Sequence, residues 1–256
     1  MSTLLLRLAG PLQAWGDSSR FTRRETRTEP TKSGVLGMIA AAQGRRRSDP
    51  LEDLLQLRFG VRADQPGSLT RDYQTAVRWP KDNRPITKDD RLPVSDRFYL
   101  SDAIFLAGVE GDRELLEGIV DALLHPAYPL YLGRRSCPPH WQLIAWRDSE
   151  KREALFDCDL LEALTAYPWL ASRAHKRTLG PKVPLVLAID REAVDGEDGD
   201  RYTSRDVPIS FDPVRRSYGW RDVVRMEIEM DNGLSRRSPE DPDFFGTAVA
   251  VATTEV

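Results

Sequence analysis

A chain of 256 residues with 40% hydrophobic and 30% charged residues can build one large domain or two modest ones around a real core. No apolar run approaches the about 18 residues of a membrane helix, and the two cysteines, Cys137 and Cys158, are too few for a disulfide framework and are expected as thiols of a cytoplasmic protein. The net charge of −3 excludes a uniformly basic binder of polyanions, yet residues 1–50 hold nine Arg/Lys against four Asp/Glu, while residues 190–200 hold six acids against one base.

Leu4, Leu6 and Leu8 alternate with Leu5 and Arg7, so the opening segment reads as a strand rather than a secretory leader. Gly10-Pro11 ends it, and a loop rich in Gly, Pro, Thr and Arg follows over 10–32. Ser33 is placed to cap a helix over 34–43, with Val35, Leu36 and Ile39 facing inward. Gly44 and the triplet Arg45-Arg46-Arg47 suit its C-terminus, where glycine and cations are both favoured. A strand is expected over 58–62, carrying Phe59 and Val61. Residues 64–96, poor in apolar side chains, read as an excursion from the core.

The next strand is expected over 98–109. Asp112 then caps a helix whose Leu115, Leu116, Ile119, Val120, Leu123 and Leu124 form one stripe, stopped by Pro126. A last strand over 141–146 completes a βαββαβ order, the signature of a ferredoxin-like split βαβ core in the α+β class. Residues 1–147 therefore read as one domain. The rest, 148–256, reads as a β-rich C-terminal region: a short helix over 160–167, strands over 183–189 and 223–230, an acidic loop tip at 195–200 and an irregular tail after Asp231.

Four segments carry chemistry. Gly10 to Gly16 flanks Gln13 and Trp15 with glycines and offers an amide and a stacking face, as unpaired bases need; the competing reading makes Trp15 a core anchor. At 29–37, Lys32, Ser33 and Gly34 open the first helix, where free amides and a cation can meet a phosphate; the competing reading is an ordinary capped helix. At 131–139, Gly133, Arg134, Arg135 and Ser136 supply a bend, two guanidinium forks and a hydroxyl, or else a solvated basic turn. The insert, with Tyr73 near its start, holds seven basic and five acidic residues over 71–100 and suits an arm lying on a partner, or a mobile loop.

Catalytic equipment is sparse. His125, His140 and His175 are scattered, and no nucleophile-elbow, zinc-protease or paired-carboxylate pattern occurs. Cys137 and His140 share a C-x-x-H spacing without a second ligand pair, so no metal and no cofactor is expected. Tyr73, His175 and Lys176 are the only recruits for acid–base chemistry.

The strings LLLRLAGPLQAWG (4–16), EPTKSGVLG (29–37), RDYQTA (71–76), PLYLGRRSCPP (129–139) and RDVPISFDP (205–213) resemble the CasD-type subunits of type I-E CRISPR Cascade complexes, within the RAMP superfamily. The resemblance implies an RRM-like ferredoxin core and a thumb hairpin over about 72–97. It places a glycine-rich loop on Gly133, Arg134, Arg135 and Ser136, and a cradle for the 5′ handle of crRNA on Gln13, Trp15, Lys32, Ser33 and Gly34, with Tyr73 stacking from the thumb. It further implies a non-catalytic, cytoplasmic subunit that caps the backbone filament, abuts the large subunit, and meets target DNA only indirectly and membranes not at all. The family pattern has arginine where Lys32 stands and histidine where Gln74 stands; lysine lacks the planar fork, and glutamine removes an imidazole from the thumb. The alternative is a metal-independent endoribonuclease that processes CRISPR repeat RNA.

Overall fold

The computed structural model describes residues 1–16, 22–82, 84–148, 150–194, 196 and 199–235. The opening strand β1 (Ser2–Ala9) is inside the main sheet and buried on both faces, which is why it reads as an almost unbroken leucine run. Leu4, Leu6 and Leu8 point into one hydrophobic cluster and Leu5 into another. Two short strands, β2 (Leu12–Gln13) and β3 (Arg23–Arg24), lie in the following loop.

Helix α1 (Lys32–Ala42) is capped by Thr31, not Ser33. The Thr31 hydroxyl accepts from the Gly34 amide at 3.1 Å with an extended backbone, so the cap lies two residues earlier than the sequence suggested. A short helix α2 (Glu52–Leu55) leads to β4 (Arg58–Gln65). The insert is a true hairpin, β5 (Ser68–Gln74) against β6 (Ser95–Ser101), so its paired base lies outside the expected 72–97 at both ends.

The expected single strand at 98–109 is two strands in two different sheets. β6 ends at Ser101, Asp102 turns the chain with φ 56°, and β7 (Ile104–Gly111) starts afresh in the main sheet. A positive φ is tolerable for aspartate in a turn, and the polar pair Ser101-Asp102 interrupting the apolar run is the one local mark of the break. Helix α3 (Arg113–Leu124), capped by Asp112, is as expected. The closing strand at 141–146 is reduced to a single Leu6–Ile144 bridge, with Arg7 donating to Leu143 and Ala145 to Leu5. Beside it β8 (Leu155–Phe156) pairs with Thr3 and Leu4, so two fragments complete the edge along β1.

Helices α4 (Leu160–Ala166) and α5 (Arg173–Lys176) follow, then three long strands, β9 (Lys182–Asp190), β10 (Asp200–Ser210) and β11 (Ser217–Asp231). The main sheet has seven strands in the order β10-β11-β9-β4-β7-β1-β8, every neighbour antiparallel; β2, β3, β5 and β6 form the smaller sheet. The fold is therefore mixed α+β with a large antiparallel sheet and few helices. α1 and α3 cover one face, and α4 covers the other.

Because β9 pairs with β4, the sheet runs without interruption across residue 147. A boundary there separates no two cores. Among the described residues no helix is long and apolar enough to cross a membrane.

A candidate nucleic-acid interface

Two loops meet where β1 ends. The Ala14 amide donates to Leu132 at 3.1 Å, and Gly133, at φ +86°, lies so close that a Cβ there would stand 1.8 Å from the Ala14 carbonyl oxygen. Only glycine permits both that dihedral and that approach.

Gln13 and Trp15 do not face the solvent. The Gln13 amide nitrogen donates to the carbonyls of Leu8 (3.0 Å) and Ala103 (2.7 Å), and its oxygen accepts from the Trp15 indole at 3.1 Å. Both side chains are buried, and the Trp15 ring packs on Gly34, where a Cβ would come within 2.8 Å of it. The core-anchor reading of Trp15 holds, and the expected stacking role is corrected: a satisfied buried amide and a covered ring have little left for a base.

Lys32 is likewise turned inward. Its ammonium bonds Asp190 at 2.9 Å with its side chain 7% exposed, and its backbone amide is taken by Asp206 at 2.8 Å. The start of α1 is thus occupied by the protein's own carboxylate, which corrects the expected phosphate contact from Lys32. Arg221 completes the cluster, reaching Asp190 at 2.6 Å and Asp206 at 2.7 and 3.0 Å. Burial opposes the charge on both Arg221 and Asp206. Their mutual bonds outweigh it, raising the arginine and holding the Asp206 carboxyl below its usual range. The cluster fastens the β10–β11 hairpin to the start of α1. Phe211, at the hairpin's end, packs on Gly37 of the same helix.

Arg134 uses its fork within the chain. It donates to the carbonyls of Phe98 (3.0 Å), Arg24 (2.9 Å) and Glu25 (3.1 Å), with its guanidinium 4.9 Å from the Tyr99 ring centre. Arg135 and Ser136 are exposed, and the Ser136 hydroxyl lies 3.3 Å from that of Tyr99. Tyr73 is exposed on β5, opposite Asp96 of β6, and does not line the cleft described below.

These elements enclose a cleft of about 1230 Å³. Among the described residues eight arginines line it, Arg24, Arg45, Arg46, Arg47, Arg134, Arg135, Arg205 and Arg216; Tyr128, Tyr131, Phe211 and Tyr218 supply rings, and no described carboxylate belongs to the lining. Ser33, Gly34 and Gly133 form part of the floor. Arg45 is bound to Asp53 by both guanidinium nitrogens, which raises its pKa, whereas Arg46, Arg47, Arg135 and Arg216 are exposed. A low-dielectric trough lined with one sign of charge focuses attraction on a polyanion.

Of the residues expected from sequence, Trp15, Ser33, Gly34, Gly133, Arg134 and Arg135 belong to the lining, while Gln13 holds the Trp15 indole and Lys32 bonds Asp190. Arg205, Arg216 and Tyr218 escaped sequence reasoning, because the β10–β11 hairpin is fixed to α1 only by long-range side-chain bonds. The triplet at 45–47 was visible, but as a helix terminus.

The acid–base recruits are not assembled. His175 packs edge-on against Trp169, with ring centres 6.4 Å apart, and Lys176 donates to the Trp169 carbonyl and lies over its ring; burial lowers both pKa values. Both residues sit on α5, while Tyr73 belongs to the smaller sheet. Cys137 is buried, which pushes its thiol up, and His140 contacts Arg7; among the described residues no cluster of three metal-ligating side chains occurs.

Fold and cleft together define a mixed α+β protein that presents an arginine-lined basic trough. The model of the family described as CRISPR-associated protein (Cas_Cas5) matches residues 3–224, and the chain belongs to that family, as a CasD/Cas5-type Cascade subunit. It is 37% identical over 151 residues, covering 54% of this chain and 67% of the relative, to the CRISPR system Cascade subunit CasD of Escherichia coli (strain K12). A chain of a solved CRISPR RNA-guided surveillance complex is 30% identical with a TM-score of 0.69, over 99% of this chain and all of that one. A solved Cas protein is 36% identical with a TM-score of 0.62, over 93% and 99% of the two chains.

Proposed function

We propose that the arginine-lined cleft holds the 5′ handle of crRNA, and that the subunit is a non-catalytic cap on the backbone filament of the cytoplasmic surveillance complex. The observation that carries this reading is the cleft itself, whose described walls hold eight arginines and no carboxylate in a chain whose net charge is −3. Phosphates of a bent single strand lie against Arg46, Arg47, Arg135 and Arg216, while Gln13, Trp15, Lys32 and Arg134 hold the walls in place. The protruding β5–β6 thumb, with exposed Tyr73 and Trp79, faces the neighbouring backbone subunit and RNA, the large subunit abuts the cap, and target DNA is met only through the assembled complex. The spatial order 141–146, β1, β7, β4, with every neighbour antiparallel, supports a ferredoxin-like core at the centre of this design.

The test is guide-RNA binding by full-length protein, without metal, across a salt series. Each exposed arginine replaced by alanine, Arg46→Ala, Arg47→Ala or Arg135→Ala, is expected to lower affinity and to flatten the salt dependence by about one unit of slope. Unchanged affinity and slope in the triple variant would refute the cleft, and cleavage of repeat RNA by the wild-type protein would refute the non-catalytic reading.

A further inference from the structure

The reading of the cleft accounts for its charge but not for the aromatic face of the β10–β11 hairpin. Tyr218 and Trp220 stand two residues apart on β11, hence on the same face of the strand and about 7 Å apart along it. Tyr218 lines the cleft, and Trp220 is 66% exposed, an unusual place to leave an indole. On the facing strand the chain advances from Ser204 to Val207 while β11 moves only from Arg221 to Gly219, so β10 carries one extra residue opposite Trp220. Such a bulge re-aims side chains. Here it turns Asp206 inward to the buried cluster and leaves Arg205 outward, where it lines the cleft, donates to the Tyr218 carbonyl at 3.3 Å and lies 5.9 Å from the centre of the Trp220 ring.

We propose that this hairpin face is a base-stacking wall: unpaired RNA bases, whose phosphates follow the arginines, stack on Tyr218 and Trp220, with the Arg205 guanidinium closing over the outer base. The two positions are spaced along the strand by about twice the ~3.4 Å separation of stacked bases, a rise that suits one base between them or a short continued stack. Stacking serves any base, so the wall contributes affinity and the path of the strand rather than sequence preference. The face is continuous with a polyanion trough, and that continuity favours RNA over a protein partner as its occupant. The inference rests on the cleft holding RNA.

The experiment uses full-length protein and labelled single-stranded RNA from the 5′ end of the guide, beside an oligonucleotide of the same length whose bases are removed. Trp220→Ala is expected to weaken binding of the base-bearing RNA about tenfold, to leave the salt slope unchanged, and to have no effect on the abasic strand. Trp220→Phe is expected to recover most of the loss, and Tyr218→Ala to behave like Trp220→Ala. The exposure of Trp220 keeps the variant folded, which circular dichroism checks. If both variants bind like wild type while Arg46→Ala and Arg47→Ala do not, the stacking wall is wrong and the cleft stands; if none of these changes matters, both fall. Normal RNA binding by Trp220→Ala coupled with loss of other complex subunits in a pull-down would make the face a protein-docking surface and overturn the proposal. Equal losses on base-bearing and abasic RNA would overturn it as well.

Discussion

An alanine at position 133 brings a methyl group to 1.8 Å from the Ala14 carbonyl oxygen on a backbone held at φ +86°. The loop must move, at a cost of more than about 2 kcal/mol from the dihedral and the contact together. Gly133→Ala is therefore expected to lower the thermal midpoint and to weaken RNA binding although no charge changes, whereas Arg135→Ala changes affinity and leaves the midpoint alone. Calorimetry beside binding separates the two. Trp15→Ala removes a large side chain from the core and is expected to cost about 3–5 kcal/mol, measured by urea unfolding. At this scale residue type was legible in the sequence and orientation was not. Lys32 looks like a phosphate ligand until Asp190 and Asp206 arrive from more than a hundred residues away, and Trp15 looks like a stacking platform until Gly34 lies under it.

The thumb and the C-terminal hairpin differ in how they are held. Beyond its β5–β6 base the thumb leaves Val77, Trp79, Ile86 and Leu92 exposed, and the loop is organised locally by Asp90, which accepts from Arg84 and from the amide and hydroxyl of Thr87. Replacing residues 75–94 with a short turn is expected to leave the thermal midpoint nearly unchanged while impairing assembly with the backbone subunits, read by co-purification. The β10–β11 hairpin is instead clamped by the Lys32–Asp190–Arg221–Asp206 cluster. Asp206 has a folded pKa below its unfolded value, so its stabilisation is present above about pH 4 and is lost as pH falls through the lower folded value. The urea midpoint is expected to fall on acidification below pH 4, with a shallower fall in Asp206→Asn from an already lower starting point. Helix α3 was readable from its cap and periodicity, and α1 from its inward apolar residues, with its cap two residues earlier than expected. The thinning of 141–146 to one bridge was not readable, and the break at Asp102 was marked only by the polar pair Ser101-Asp102 within an apolar run.

Across the whole molecule, a net charge of −3 coexists with a trough of arginines because the acids are placed elsewhere, as along β11, where Glu227, Glu229 and Asp231 are exposed. The α+β class and the family resemblance were both legible in the sequence; the single sheet was not, because which long strand pairs with β4 is a long-range choice that composition does not encode. The antiparallel pairing of Gly60 with Ile189 and of Thr3 with Phe156 also sets an order of events during synthesis. Emerging from the ribosome, the amino-terminal half holds β4 with one edge unmatched, and such non-local pairing forms late and leaves edges open to aggregation. The last wall of the cleft, β10 and β11, leaves the ribosome after every other described strand, so a nascent chain has no complete cleft until both strands have emerged.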